Sequence, residues 1–397
     1  DIRDSILDDC HEDVIRIKNN IAVNCCDLDS PHHGLELYRQ ILNCELGQEY
    51  NALVNYAGFL FEAGELDSAA YYFSLVLNER EFEISDYNAS RSWMNFAHLE
   101  AERGNSREAL SYAEKAVVLK RGWVRDQFTG LSASQRKAIW SRNQDDIDWL
   151  LHMAVADGVK GGNSSYDAML FGKSLLLYAS LEIDKEIIGH AGLSVSKLKE
   201  ELISKRVFQR NLLMNCDSCS FQKEEFEGEI RLLEKSIAVA LEVDAISSSF
   251  NFTWKDVRKG LVKDEVAIEF GQFYESNGGG RRFVALLVDK KRKGPRLIPL
   301  CASVELDLAW DTLSLSKGEN VLVSYSKIDS DLERLHDLLW APLESTLDSG
   351  QTVYFSGSGV LNQLPFHAMY REDGDGRRSY VMDRFDLRPL STTRLIP

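Results

Sequence analysis

The sequence predicts a two-part chain: a helical first half built from repeated helix pairs, then an α/β domain whose sheet begins near residue 250. Three observations predict it. Small and aromatic residues recur at helix-pair spacing between Lys18 and Ala116. Helical periodicity continues without that repeat as far as Val243. After Phe250 the pattern changes to short apolar runs separated by Gly- and Pro-bearing turns. The boundaries expected are residues 1–125 for the repeats, 126–250 for a helical connector and 251–397 for the sheet domain.

The repeats come first. The clearest pair reads Leu53-x-x-Tyr56-Ala57-x-x-Leu60, then Gly64, then Ala69-x-x-x-Phe73-x-x-Val76. A second has Trp93-x-x-Phe96-Ala97, Gly104 and Ala109-x-x-x-Ala113-x-x-Ala116. A weaker one precedes them: Lys18-x-x-Ile21-Ala22-x-x-Cys25, then Gly34-x-x-x-Tyr38-x-x-Ile41. Ala22, Ala57 and Ala97 on the first helices, and Gly34, Ala69 and Ala109 on the second, stand where a partner helix must approach closely. Gly64 and Gly104 fall where a helix ends on a left-handed residue.

These features resemble tetratricopeptide (TPR) repeats of ~34 residues. The spacing from Ala69 to Ala109 is longer than that, which assigns an insertion to Glu79–Asp86, and no repeat ends in Pro. A plain helical bundle would bury the same stripes without forming a concave groove.

The connector is expected to hold three helices. Ser134–Ala156 sets Ile139, Trp140, Ile147, Leu150 and Leu151 on roughly one face, and Tyr166–Ile183 is densely apolar. Glu224–Val243 spaces Phe226, Ile230, Leu233, Ile237 and Leu241 by three and four.

In the sheet domain, Thr253 and Asp256 read as an N-cap and third-position carboxylate opening a short helix that Gly260 ends. Val266–Phe270, Phe283–Val288 and Arg296–Leu300 read as an antiparallel meander, turning at Asn277-Gly-Gly-Gly280 and Lys293-Gly-Pro295. Asp331–Leu347 is a helix carrying Leu332, Leu335, Leu339 and Leu343, kinked or ended by Pro342. Val353–Phe355 follows as a buried strand, and Gly357 and Gly359 let the chain reverse after it.

The run Tyr354-Phe-Ser-Gly-Ser-Gly-Val-Leu-Asn-Gln-Leu-Pro-Phe-His-Ala-Met369 resembles the signature early in the CHAT domain, a caspase-like cysteine protease module. Leu339-Trp-Ala-Pro-Leu343, Tyr380–Arg394 and the run Y-D-A-M-L-F-G-K-S-L-L-L from Tyr166 are similar to CHAT proteins fused to TPR repeats. The resemblance implies a TPR-like superhelix followed by the amino-terminal part of a caspase-like α/β domain. It implies a cysteine endopeptidase whose repeats bind a protein partner that controls proteolysis; some bacterial members act in antiviral defence. An alternative is a TPR scaffold with an inactive CHAT-like platform.

In that family the catalytic His follows one strand and the Cys a later one, in motifs such as "H-G" and "S-A-C". Neither motif occurs here, so no catalytic residue is assigned. The resemblance places both, with the central parallel strands, beyond Pro397, and a sheet without them would keep an unpaired edge. The carboxy-terminal remainder of the CHAT domain is therefore expected as a partner.

Two substitutes are rejected from sequence. His367 reads as a helix-start residue, and Cys301 precedes it, which inverts the family's order. Gly278–Gly280 lacks the Lys-Ser/Thr of a phosphate loop and reads as a hairpin turn.

Composition narrows the rest. A net charge of −16 over 397 residues argues against a nucleic-acid backbone as partner and favours a basic protein surface. Lys290–Lys293 reads as a solvated hairpin turn. Seven scattered cysteines, Cys10, Cys25, Cys26, Cys44, Cys216, Cys219 and Cys301, suit a reducing compartment, with the cytoplasm as default. Cys216-Asp-Ser-Cys219 lacks a second ligand pair for zinc, and His32-His33 reads as a solvent-facing loop pair. No metal, cofactor or membrane span is expected.

Overall fold

The computed structural model describes residues 8–27, 31–44, 50–78, 85–128, 144–158, 161–173, 252–275, 280–315 and 331–396, with isolated residues in 135–141, 197–205 and 229–236. The chain divides into two units, Asp1–Lys120 and Arg121–Pro397. The described helices of the expected connector fall in the second.

The first unit holds α1 (Glu12–Asp27), α2 (Pro31–Leu42), α3 (Tyr50–Glu62), α4 (Leu66–Asn78), α5 (Asp86–Glu102) and most of α6 (Ser106–Phe128). Successive helices from α1 to α5 pack on one another. Phe96 of α5 stacks on Tyr112 of α6, ring centroids 4.6 Å apart.

Ala22, Ala57, Ala69, Ala97 and Ala109 are all buried, as their spacing requires. A Cβ on Gly34 would lie 2.3 Å from the Phe59 ring, so α2 reaches α3 only because that position lacks a side chain. Gly64 and Gly104 are left-handed, φ +78° and +80°. Beyond them Glu65 N donates to Leu60 O and Asn105 N to Glu100 O, both at 2.8 Å, satisfying carbonyls the helix leaves over. These helix pairs are consistent with repeats.

Three expectations change here. Ile21, expected between the helices, is 45% exposed. His32 and His33 are not in a loop: α2 starts at Pro31, whose fixed φ suits a first helical position, so both are exposed in its first turn. Cys10 and Cys44 are not free thiols but a disulfide, because α2 returns beside α1 and brings its end back to the start of the pair. Residues 79–84, the side chains of Cys25 and Cys26, and Cys216–Cys219 lie outside the described residues.

The second unit is mixed α/β. Its α7 (Asp145–Ala156) buries Ile147, Leu150 and Leu151, and helical residues 162–173 bury Tyr166, Met169, Leu170 and Phe171. Trp140, residues 174–183 and most of the expected Glu224–Val243 helix lie outside the described residues. In α8 (Trp254–Gly260), Asp256 Oδ2 accepts from Thr253 N at 3.0 Å and Thr253 Oγ1 at 2.9 Å, and the helix ends at Gly260 as expected.

Next come β1 (Glu265–Tyr274), β2 (Arg281–Asp289) and β3 (Arg296–Ala302), the expected antiparallel meander. The Lys290–Lys293 run occupies the β2–β3 turn, where Arg292 pairs with Asp289 and Lys291 with Asp348. Helix α9 (Ser303–Leu315) was hidden in the sequence by the strand-like alternation of Val304, Leu306 and Leu308; only Leu306 of these is buried.

The expected helix from Asp331 is interrupted. Helical residues 331–335 lead into a π-helical turn, His336–Trp340, then α10 (Ala341–Glu344). Ala341 N donates five residues back, to His336 O. Pro342 explains the shift, since it has no N–H and its ring would press on an α-helical carbonyl before it.

Then follow β4 (Thr352–Ser356), 3-10 turns at Gly359–Gln363 and Phe366–Ala368, and the small hairpin β5 (Tyr370–Glu372) with β6 (Arg378–Tyr380). The short α11 (Val381–Arg384), β7 (Asp386–Pro389) and a 3-10 turn, Thr393–Leu395, complete the unit. The five-stranded sheet has the order β3-β2-β1-β4-β7, with β1, β4 and β7 parallel. Val266, Ile268 and Phe270 face one core with Leu339, Trp340, Phe355 and Phe366. Among the described residues no helix is long and apolar enough to cross a membrane.

Candidate functional site at the carboxyl ends of the parallel strands

Alternation along β1 sends Ala267, Glu269 and Gly271 to the face opposite that core. Helical residues 162–173 cover this face: a Cβ on Gly271 would lie 2.3 Å from Met169 Sδ. Glu269 is thus a fully buried carboxylate in the middle strand of the sheet, paired in register with Ser356 of β4. Burying such a charge is costly unless it is paired and hydrogen-bonded, and here it is both.

Glu269 Oε1 accepts from Thr393 N at 2.6 Å, Thr393 Oγ1 at 2.8 Å and Thr392 Oγ1 at 3.1 Å. Its Oε2 lies 2.7 Å from Lys173 Nζ. Lys173 Nζ also donates to Ser356 O and Ser356 Oγ, each at 2.9 Å. Ser356 Oγ in turn donates to Ser391 O at 2.9 Å, and Tyr166 OH lies 2.8 Å from Thr393 Oγ1. Burial lowers the Lys173 pKa against the opposing pull of Glu269. Burial, then the Glu269 charge, raises the Tyr166 phenol well above its ordinary value.

This network joins four segments: the covering helix, the middle of β1, the end of β4, and the turn after β7. All four are legible separately in the sequence, in the runs from Tyr166, Tyr354 and Tyr380 and in the strand Val266–Phe270, but nothing there connects them. The available signal was Glu269 itself, a charge inside an otherwise apolar strand.

The chain leaves β4 through Ser356-Gly-Ser-Gly359. A Cβ on Gly357 would lie 2.6 Å from Asn362 Oδ1 and 2.9 Å from Asn362 N. Gly359 is left-handed at φ +56°. Close approach thus requires the first glycine and backbone conformation the second. Beside this loop is a cavity of about 180 Å³, whose lining includes Asp148, Met169, Lys173, Gln272 and Ser358. Burial, then neighbouring Asp145, pushes Asp148 up to about 7 against the opposing charge of Arg281.

The carboxyl edge of parallel strands is where open α/β sheets gather ligands and reacting groups. Lys173 is taken up by Glu269 and Ser356, and Glu269 by Lys173, Thr392 and Thr393, so their role is positional: they tie the covering helix to β1 and to the end of β4 beside the cavity. Cys301 and His367 are not brought together. Cys301 is buried on edge strand β3, and the strand leading to exposed His367 stands three places away in the sheet. Burial pushes the Cys301 thiol to about 11, with Glu305 adding to the effect, which removes its thiolate at neutral pH. His336 is buried beside Glu344, its Nε2 3.3 Å from Oε1. Among the described residues no cluster of His, Cys, Asp and Glu is placed to hold a metal ion.

Residues 329–397 match the family model of the CHAT domain. The match spans the π-turn helix, β4, the Gly-Ser-Gly loop, the small hairpin, β7 and the Thr392-Thr393 turn. The meander β1–β3, which completes the CHAT-bearing sheet, precedes it. No curated protein matches the chain.

Proposed function

We propose that this chain is the regulatory and partner-binding portion of a caspase-like cysteine protease, with its helix pairs acting as TPR repeats that take a protein partner. The observation that carries the reading is the CHAT match falling on β4 and β7, parallel strands that end side by side next to parallel β1. Caspase-like folds draw their catalytic His and Cys from such strand ends. In this reading the remainder of the CHAT domain extends the sheet from β7, and partner binding controls its proteolysis. A role in bacterial antiviral defence belongs to the same proposal, and so does a cytoplasmic setting, in which the Cys10–Cys44 disulfide would be an exception to the reduced thiols usual there.

The test is active-site labelling of the protein together with all that its reading frame encodes after Pro397. A cysteine-directed acyloxymethyl ketone is expected to label a cysteine outside residues 1–397 and to spare Cys301. Labelling of Cys301, or of no cysteine at all, would remove the protease reading and leave a scaffold.

A further inference from the structure

The second unit carries a local excess of positive charge that the whole chain hides. Residues 254–265 and 289–296 hold nine Lys and Arg against four Asp and Glu, in a chain of net charge −16. The first segment is α8 with the turn into β1, and the second is the β2–β3 turn with the start of β3. Folding joins them. Arg258 of α8 donates from Nε to Asp289 O at 3.2 Å and from Nη2 to Lys290 O at 2.9 Å. Lys290 Nζ in turn donates to Lys259 O at 3.2 Å. The helix of residues 162–173 also starts against this turn, where a Cβ on Gly162 would lie 2.8 Å from Pro295 O. Its partly positive end adds to the same field.

The carboxylates here are already engaged. Asp256 accepts from Thr253 Oγ1 and pairs with Lys259, each at 2.9 Å. Glu265 accepts from Val262 N at 2.8 Å and Tyr354 OH at 3.1 Å. Asp289 pairs with Arg292 at 2.6 Å, and Asp348 comes from outside to Lys291. Exposed Asp264 acts on Lys291 through its charge alone. Lys255, Lys263, Lys290 and Lys293 have no ion-pair partner among the described residues. Lys255 and Lys259 stand one turn apart on α8, a like-charge spacing that opposes the helix. Burial, then the charge of Arg292, lowers the Arg296 pKa against the opposing pull of Asp289. An anionic partner would relieve this crowding. Val262, 61% exposed, supplies an apolar contact beside Lys263.

The field also limits the partner. Screening at physiological salt acts beyond ~8 Å. A short anionic segment lying on the patch therefore meets mainly these cations, whereas a long polyanion would run out over the acidic remainder of the chain. Trp254 is the one aromatic residue of the two segments, and it is buried, so no exposed ring offers a base a stacking platform.

We propose that this surface docks a short acidic segment of a partner protein, its carboxylates over the four unpaired lysines and an apolar side chain against Val262. The two segments lie outside both the helix pairs and residues 329–397, so this contact is separate from any made by the repeats. Its charge preference is the opposite of the one that net charge alone favours.

Fluorescence polarisation on the full chain tests it with three labelled probes of equal length. One is a glutamate-rich peptide with a central leucine, one has lysine in place of glutamate, and one is a single-stranded oligonucleotide of the same negative charge. The acidic peptide is expected to bind about tenfold or more tighter than either other probe, and to weaken as salt rises. Lys263→Glu with Lys293→Glu should weaken it about tenfold or more, and Val262→Ser about threefold. Arg107→Glu, the same charge change at an exposed position of the first unit, should leave it within about twofold. Lys263→Gln with Lys293→Gln serves if the charge-reversed protein does not fold. No binding of the acidic peptide, equal binding of the lysine peptide, tighter binding of the oligonucleotide, or wild-type affinity in the paired variants would overturn the assignment. Cysteine labelling is read independently, so loss of this surface leaves the protease reading standing.

Discussion

Replacing Lys173 by methionine keeps the length of the side chain and removes its ammonium. Glu269 would then be a fully buried carboxylate without its ion-pair partner, held only by donors from Thr392 and Thr393. Ser356 O would lose its Lys173 donor as well. Removing one member of a buried pair costs about 3–5 kcal/mol, more than the pair's net worth, because the remaining charge stays desolvated. The Lys173 side chain is 14% exposed, so water relieves part of the loss and the lower end of that range is expected. Lys173→Met with Glu269→Gln removes both charges, and the combined cost should fall short of the sum by about 1–3 kcal/mol. Two units preclude a single unfolding free energy for the chain. Hydrogen exchange of β1 and β4 amides under increasing urea reads the sheet alone. A loss below about 1 kcal/mol for Lys173→Met, or strict additivity in the double variant, would show that the network does not hold the strand ends.

Two further outcomes follow from the same structure. Asp148 has a folded pKa of about 7 against an ordinary 3.8, so the folded state binds the extra proton between those values and stability falls as pH rises through them. Asp148→Asn should flatten that fall and make the second unit more stable than wild type at pH ~8, measured by thermal melting across pH. Reducing Cys10–Cys44, whose sequence separation is 34, should destabilise the first unit by about 2–4 kcal/mol in thermal circular dichroism. Cys10→Ser should melt like the reduced protein and be indifferent to reductant.

The sequence alone determined the elements governed by local rules. Ala57, Ala69, Ala97 and Ala109 declare helix contacts by their size, and Gly64 and Gly104 declare helix ends by their backbone freedom. Thr253 with Asp256, the β1–β3 meander and the Ser356–Gly359 reversal were legible for the same reason: each depends on residues a few positions apart. Pro342 disclosed a break, although the π-turn form of that break depends on how the helix packs.

Tertiary structure decided what depends on distant residues meeting. Lys173, Glu269, Ser356 and Thr393 lie in separate stretches of chain, and only the sheet order with its covering helix brings them within 3 Å. Cys10 reaches Cys44 because α2 returns along α1, which no cysteine count discloses. The charge of the whole chain likewise concealed a groove lined by both Arg91 and Glu62. Net charge is a sum over the sequence, whereas a partner meets the field of the few residues that folding places around it.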